Sequence, residues 1–168
     1  MIVSVFMLAP AVSAAPQALT DAQVEQIRRN CQTSQSYLQQ IQRNDAAARI
    51  NRGREYEVMS KLVANFNSRV ALNKIDGSSL ISVASDLGKR ITTFQTDYLQ
   101  YEDALSAALD IKCREQPVTF YDTLTNAREL RAKMAQDITD INATLDNYQT
   151  GLTNLRATLV PAKTEKTQ

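Results

Sequence analysis

Apolar residues recur through the middle of the chain at seven-residue intervals in two offset series. Leu80, Leu87, Phe94, Tyr101 and Ala108 form one, and Ala84, Ile91, Tyr98 and Leu105 the other. Two such columns lie on one face of an α-helix, so residues 78–113 are expected to form a long rod buried along a single stripe. The same rhythm returns downstream. Leu124, Ile138, Leu145, Leu152 and Leu159 occupy one heptad position, and Met134, Ile141, Tyr148 and Leu155 the other, giving a helix over 117–160 that Val160-Pro161 closes. Upstream, Val24, Ile27, Cys31, Leu38 and Ile41 mark one face, and Tyr56, Met59, Leu62, Val63, Phe66 and Val70 resume it over 20–76. Between these two runs the stripe falters. Asn44-Asp45 and Asn51-Arg52-Gly53-Arg54 place polar or helix-weak residues where apolar ones are due, so the first helix is expected to kink or break near residues 44–54. Ala46-Ala47-Ala48 argues against a full loop there.

The punctuation agrees with three rods. Thr20 with Gln23 forms a capping box and Leu19 with Val24 a hydrophobic staple at the first helix start. Gly77 is placed to end that helix in the left-handed conformation, with Ser78 or Ser79 as the next cap. Pro117 can begin the third helix, and Thr119 with Asp122 is a second capping-box candidate. With only 4 Gly and 4 Pro, the chain lacks the turn signals a sheet protein of 168 residues needs. The expected fold is all-α: an elongated antiparallel three-helix bundle of coiled-coil type, one domain over 20–160. Residues 15–19 form a short leader and 161–168 a polar, disordered tail.

The apolar run Ile2 to Ala9 is too short to span a bilayer and leads into Val12-Ser13-Ala14, a small-x-small cleavage pattern. Residues 1–14 are therefore read as a signal peptide, although no Lys or Arg supplies the basic region that usually precedes the run. The mature chain is expected to carry no transmembrane helix and to work outside the cytoplasm: in a periplasm, on a cell surface or extracellularly.

Charge and chemistry narrow the function classes. Lys+Arg 19 against Asp+Glu 18 leaves a net charge of +1, without the basic field that nucleic-acid binding requires. There is no His, which removes the commonest general base and the commonest metal ligand together. No cofactor and no metal is implied.

Cys31 and Cys113 are the sharpest feature, since an exported chain with two cysteines ordinarily pairs them. Counted from Gly77, a straight first helix would place Cys31 roughly 69 Å away and the second helix would place Cys113 roughly 54 Å away. An intramolecular bond therefore calls for a bend near residues 44–54. A straight helix would instead leave Val24, Ile27, Leu38 and Ile41 overhanging as an interaction stripe, with the bond made between chains.

The same count from Gly77 sets Arg52 and Tyr56 level with Tyr98, Tyr101, Glu102 and Asp103, and with Arg128 and Arg131 of the third helix. One reading is a site where Arg52, Arg128 and Arg131, framed by Tyr98 and Tyr101, hold a small anion. The plainer one is a polar layer that sets helix register, with arginine paired to Glu102 or Asp103. In shape the chain resembles extracytoplasmic coiled-coil proteins such as cell-wall hydrolase regulators and holdase chaperones, an analogy of architecture that no motif narrows. The expected function is that of an exported, non-enzymatic structural or interaction module, its partner another protein or an envelope component, with self-association open. Small-anion binding is the alternative, and an enzyme the third.

Overall fold

The computed structural model describes residues 18–160. The signal-peptide reading of 1–14 and the tail reading of 161–168 lie outside them. Three helices follow one another: α1 Asp21–Leu72, α2 Ser78–Asp110 and α3 Pro117–Leu159. They form an antiparallel bundle in which α2 and α3 pack most extensively, α1 lies chiefly along α2, and α1 meets α3 least. Among the described residues, no helix is long and apolar enough to cross a membrane.

Helix α1 begins as its sequence directs. The Thr20 backbone N–H donates to Gln23 Oε1 at 2.8 Å, and the Gln23 N–H to Thr20 Oγ1 at 3.4 Å. The helix then runs unbroken through 44–54, so the expected break is absent. Its far end also departs from expectation. Lys74, not Gly77, takes the left-handed conformation (φ 57°), while the N–H groups of Lys74 and Ile75 bond the Ala71 and Val70 carbonyls in a Schellman closure. Gly77 has φ −120° and caps α2 from a position where a Cβ would stand 2.5 Å from Val70 Cγ1. Glycine is needed there for close approach. Neither Ser78 nor Ser79 caps the helix. Asp76 Oδ1 accepts the Ser78 N–H at 3.1 Å instead.

At the opposite end the chain leaves α2 extended at Ile111 and turns through Lys112, whose carbonyl accepts the N–H groups of Glu115 and Gln116. Pro117 opens α3 as expected, but Gln116 is the N-cap and no side chain caps the helix, so the Thr119–Asp122 box is not made.

These two connections explain why α1 needs no break. Residues 73–77 fold back so that Gly77 packs on Val70, and α1 is effectively counted from Val70. From there Cys31 is roughly 58 Å away along the helix. Helix α2 covers roughly 48 Å, and the extended residues after it add roughly 10 Å. The cysteines therefore meet: Cys31 and Cys113 stand at disulfide distance within one chain, Cα atoms 5.5 Å apart. The expected overhang disappears with the break. Leu38 is buried, Ile27 and Ile41 pack against the same cluster, and Val24 is half-buried.

The core has two parts. Near the disulfide, Leu38, Tyr101, Leu105, Phe120 and Leu124 surround the two cysteines. Near the α1–α2 turn, Tyr56, Val63, Leu80, Leu87, Phe94, Ile141 and Tyr148 form the second cluster. Small residues allow α2 and α3 to approach closely: Ala127 and Thr144 are buried, and a Cβ on Gly151 would lie 2.7 Å from Leu80 Cδ2. Met134 touches both clusters, at the level of a polar waist.

Candidate functional site

The waist draws polar side chains from all three helices. Asp45 of α1 is its hub: Oδ2 accepts the Tyr101 hydroxyl at 2.6 Å and Arg131 Nε at 3.0 Å, and Oδ1 accepts a terminal Arg131 nitrogen at 3.1 Å. This bidentate fork joins α1 to α3, while the tyrosine joins both to α2. The Asp45 side chain is 16% exposed and that of Arg131 52%, so the carboxylate is held inside and the guanidinium reaches it from the rim. Burial and the acceptor Asp45 hold the Tyr101 hydroxyl far above its ordinary titration range, with Arg131 opposing. Arg131 is held more firmly protonated, chiefly by its hydrogen bond to Asp45. One turn along, Arg49 lies 4.9 Å from the Tyr98 ring centroid. Burial raises the Tyr98 hydroxyl, Glu102 adds to the shift and Arg49 counters it.

A second polar group bridges α2 and α3. Asp97 is 2% exposed, and its Oδ1 accepts Lys133 Nζ at 2.8 Å. Its Oδ2 is buried, as is Oδ2 of Asp137, and neither meets a nitrogen donor. The two carboxyls are neighbours, and the Asp97 carboxyl helps to favour the protonated form of Asp137. Burial foremost, then Asp97, raises Asp137 to about 6, while Lys133 pulls it down. Outside this pair, Arg90 links Asp86 at 2.8 Å to Asp140 at 2.9 Å, a further α2–α3 tie at the surface.

Of the seven residues expected in this layer, Tyr98, Tyr101 and Arg131 meet. Glu102 is half-buried beside Tyr98, but Asp103 is exposed, and Arg131 pairs with Asp45 rather than with either acid. Arg52 stands apart from the tyrosines; with Arg128 it lines a groove of about 500 Å³ between α1 and α3, floored by Ala48, Met134 and Ile138. Neither Arg52 nor Arg128 forms an ion pair among the described residues. The count from Gly77 displaced α1 by one heptad, so Asp45 and Arg49 occupy the places assigned to Arg52 and Tyr56. Asp45, Arg49, Asp97, Lys133 and Asp137 escaped the reading. A partial signal for Asp97 was present: it repeats the position of Ala104, seven residues on and buried, and of Val83, fourteen residues back and half-buried.

Two surface features remain. A groove of about 510 Å³ runs between α1 and α2 beside Arg49, Gly53, Arg54, Tyr98 and Leu99. Along α1, Ile50, Val58, Leu62 and Phe66 are exposed by 49, 56, 63 and 37%, with the last two bordering a groove of about 390 Å³ against Tyr148 and Leu152. Among the described residues, no three His, Cys, Asp or Glu side chains gather as a metal site would require. Comparison with family models, with curated proteins and with solved structures finds no match to the chain.

Proposed function

We propose that the protein is an exported, non-enzymatic bundle that works at the cell envelope or outside the cell as a structural and interaction module, with α1 as its docking helix. The observation that carries this is the exposure of Ile50, Val58, Leu62 and Phe66 on a 52-residue helix held to the bundle mainly along α2. The Cys31–Cys113 pair supports an oxidising compartment, in keeping with the apolar run and Val12-Ser13-Ala14 pattern at the start of the chain. The polar waist suits such a role as a device for register, since Asp45 satisfies Tyr101 and Arg131 together. A photo-crosslinker at Ile50, in protein recovered from outside the cytoplasm, is expected to trap an envelope protein. The non-reducing peptide map is expected to show cleavage after Ala14 and the linked cysteines. An uncleaved, reduced chain retained inside the cell overturns the reading.

A second reading rests on Arg52 and Arg128, two cations that line one groove and form no ion pair among the described residues. A small anion would bind between them, whereas Arg131 is already taken by Asp45. Inorganic phosphate should then raise the melting temperature of the wild type but not of Arg52→Leu/Arg128→Leu. Equal shifts in both proteins remove this reading.

A further inference from the structure

The exposed face of α1 is self-complementary about Leu62. Leu62 is flanked four residues to either side by Val58 and Phe66, and seven residues to either side by Glu55 and Arg69. At 100° per residue these five positions fall within roughly 80° of arc, offset toward α3 from the face that buries Tyr56, Val63 and Val70. Val58 and Leu62 are more than half exposed and Phe66 is 37% exposed; Glu55 and Arg69 are exposed and join no ion pair among the described residues.

We infer that this stripe seats a second copy of the chain, with the two α1 helices antiparallel about a twofold axis through Leu62. The inference deepens the docking-helix reading by naming the occupant. In a twofold contact each position meets its mirror in the stripe. Leu62 meets Leu62 of the partner, Val58 meets Phe66, and Glu55 meets Arg69 at both ends, so apolar residues fall in the centre and opposite charges at the rim. No like charges are brought together. Lys61, next to the axis, is already paired with Glu57 of its own helix at 2.6 Å. A foreign partner would need complementarity to the stripe but would not require its two halves to complement each other. The floor is also present: α1 meets α3 least of the three pairs, and the seam between them opens into the groove lined by Leu62, Phe66, Tyr148 and Leu152. A second α1 laid there would complete the fourth side of the bundle.

The test is light scattering after gel filtration of the oxidised full chain, from about 5 to about 200 µM, where associations of micromolar strength become visible. The wild type should pass from monomer to dimer across this range. Leu62→Glu sets two like charges on the axis and should weaken the dimer by roughly a hundredfold or more. Glu55→Arg and Arg69→Glu should each weaken it, and the double swap should restore it. All these positions are solvent-exposed in the monomer, so circular dichroism should show every variant folded. A wild type that stays monomeric at the highest concentration, a dimer indifferent to Leu62→Glu, or a double swap no tighter than the single ones overturns the inference. The docking-helix reading fails separately. A monomer whose Ile50 crosslinks to an envelope protein sinks only the self-association, and a twofold dimer whose Ile50 traps no envelope protein sinks only the envelope partner.

Discussion

Asp137→Asn probes the carboxyl pair that burial traps between α2 and α3. Asp137 is raised from 3.8 to about 6 by burial first, then by the neighbouring Asp97 carboxyl; Asp140 adds slightly and Lys133 opposes. Because the folded value lies above the unfolded one, the folded chain keeps a proton that the unfolded chain has lost between about pH 4 and 6. Stability from this group is therefore fully present below about pH 4 and is lost as pH rises through about 6. At about 1.4 kcal/mol per pKa unit, the shift has a ceiling of about 3 kcal/mol, and solvent reaching the partly exposed Asp137 lowers it to about 1–2 kcal/mol. In Asp137→Asn the introduced amide donates to Asp97 at every pH. Urea unfolding of both disulfide-intact proteins from pH 4.5 to 7.5 should show the wild type losing about 1–2 kcal/mol relative to the variant, with the variant the more stable at neutral pH. Glu57 and Asp76, held below their ordinary range by Lys61 and by the Ser78 N–H, act in the opposite direction and cancel in the difference. A difference between the two proteins that does not change with pH refutes the raised Asp137.

Five further variants test the rest of the frame. Cys31→Ser/Cys113→Ser releases a link across 82 residues and should cost about 2–4 kcal/mol by denaturant unfolding, with hydrogen exchange rising most in the first third of α1. Asp45→Ala strips the buried Tyr101 hydroxyl and the Arg131 fork of their acceptor and should cost about 2 kcal/mol, while Tyr101→Phe should cost about 1 kcal/mol, both read as shifts in urea midpoint. Lys74→Gly should stabilise by about 0.5–1 kcal/mol because Lys74 holds φ 57°, whereas Gly77→Ala should destabilise because its Cβ would meet Val70. Thermal melts that reverse those two signs would return the left-handed closure to Gly77.

The hydrophobic rhythm of this chain determined by itself that there are three helices and most of the residues that face inward, and the short connections made the bundle antiparallel; Leu62 and Phe66, placed on the same stripe of α1, are exposed instead. The Thr20–Gln23 box and the Pro117 start are local, so they too were legible. That Cys31 and Cys113 would be bonded followed from their number, but whether within one chain or between two did not. Axial register was not legible, and the reason is physical. A helix slid by seven residues presents the same heptad face, so an apolar stripe cannot distinguish two placements one heptad apart. The choice was made by the connections. A lysine in the left-handed conformation and a glycine packed on Val70 take up residues 73–77, and the extended chain after α2 adds the last stretch to Cys113. That choice closed the disulfide without a break in α1 and brought Asp45, rather than Arg52, to Tyr101 and Arg131. The carboxyl pair is tertiary in the same sense. Asp97 and Asp137 lie beside their stripes and would face water on isolated helices; Asp97 is enclosed and Asp137 half-buried where Ala127, Thr144 and Gly151 let α2 and α3 approach closely.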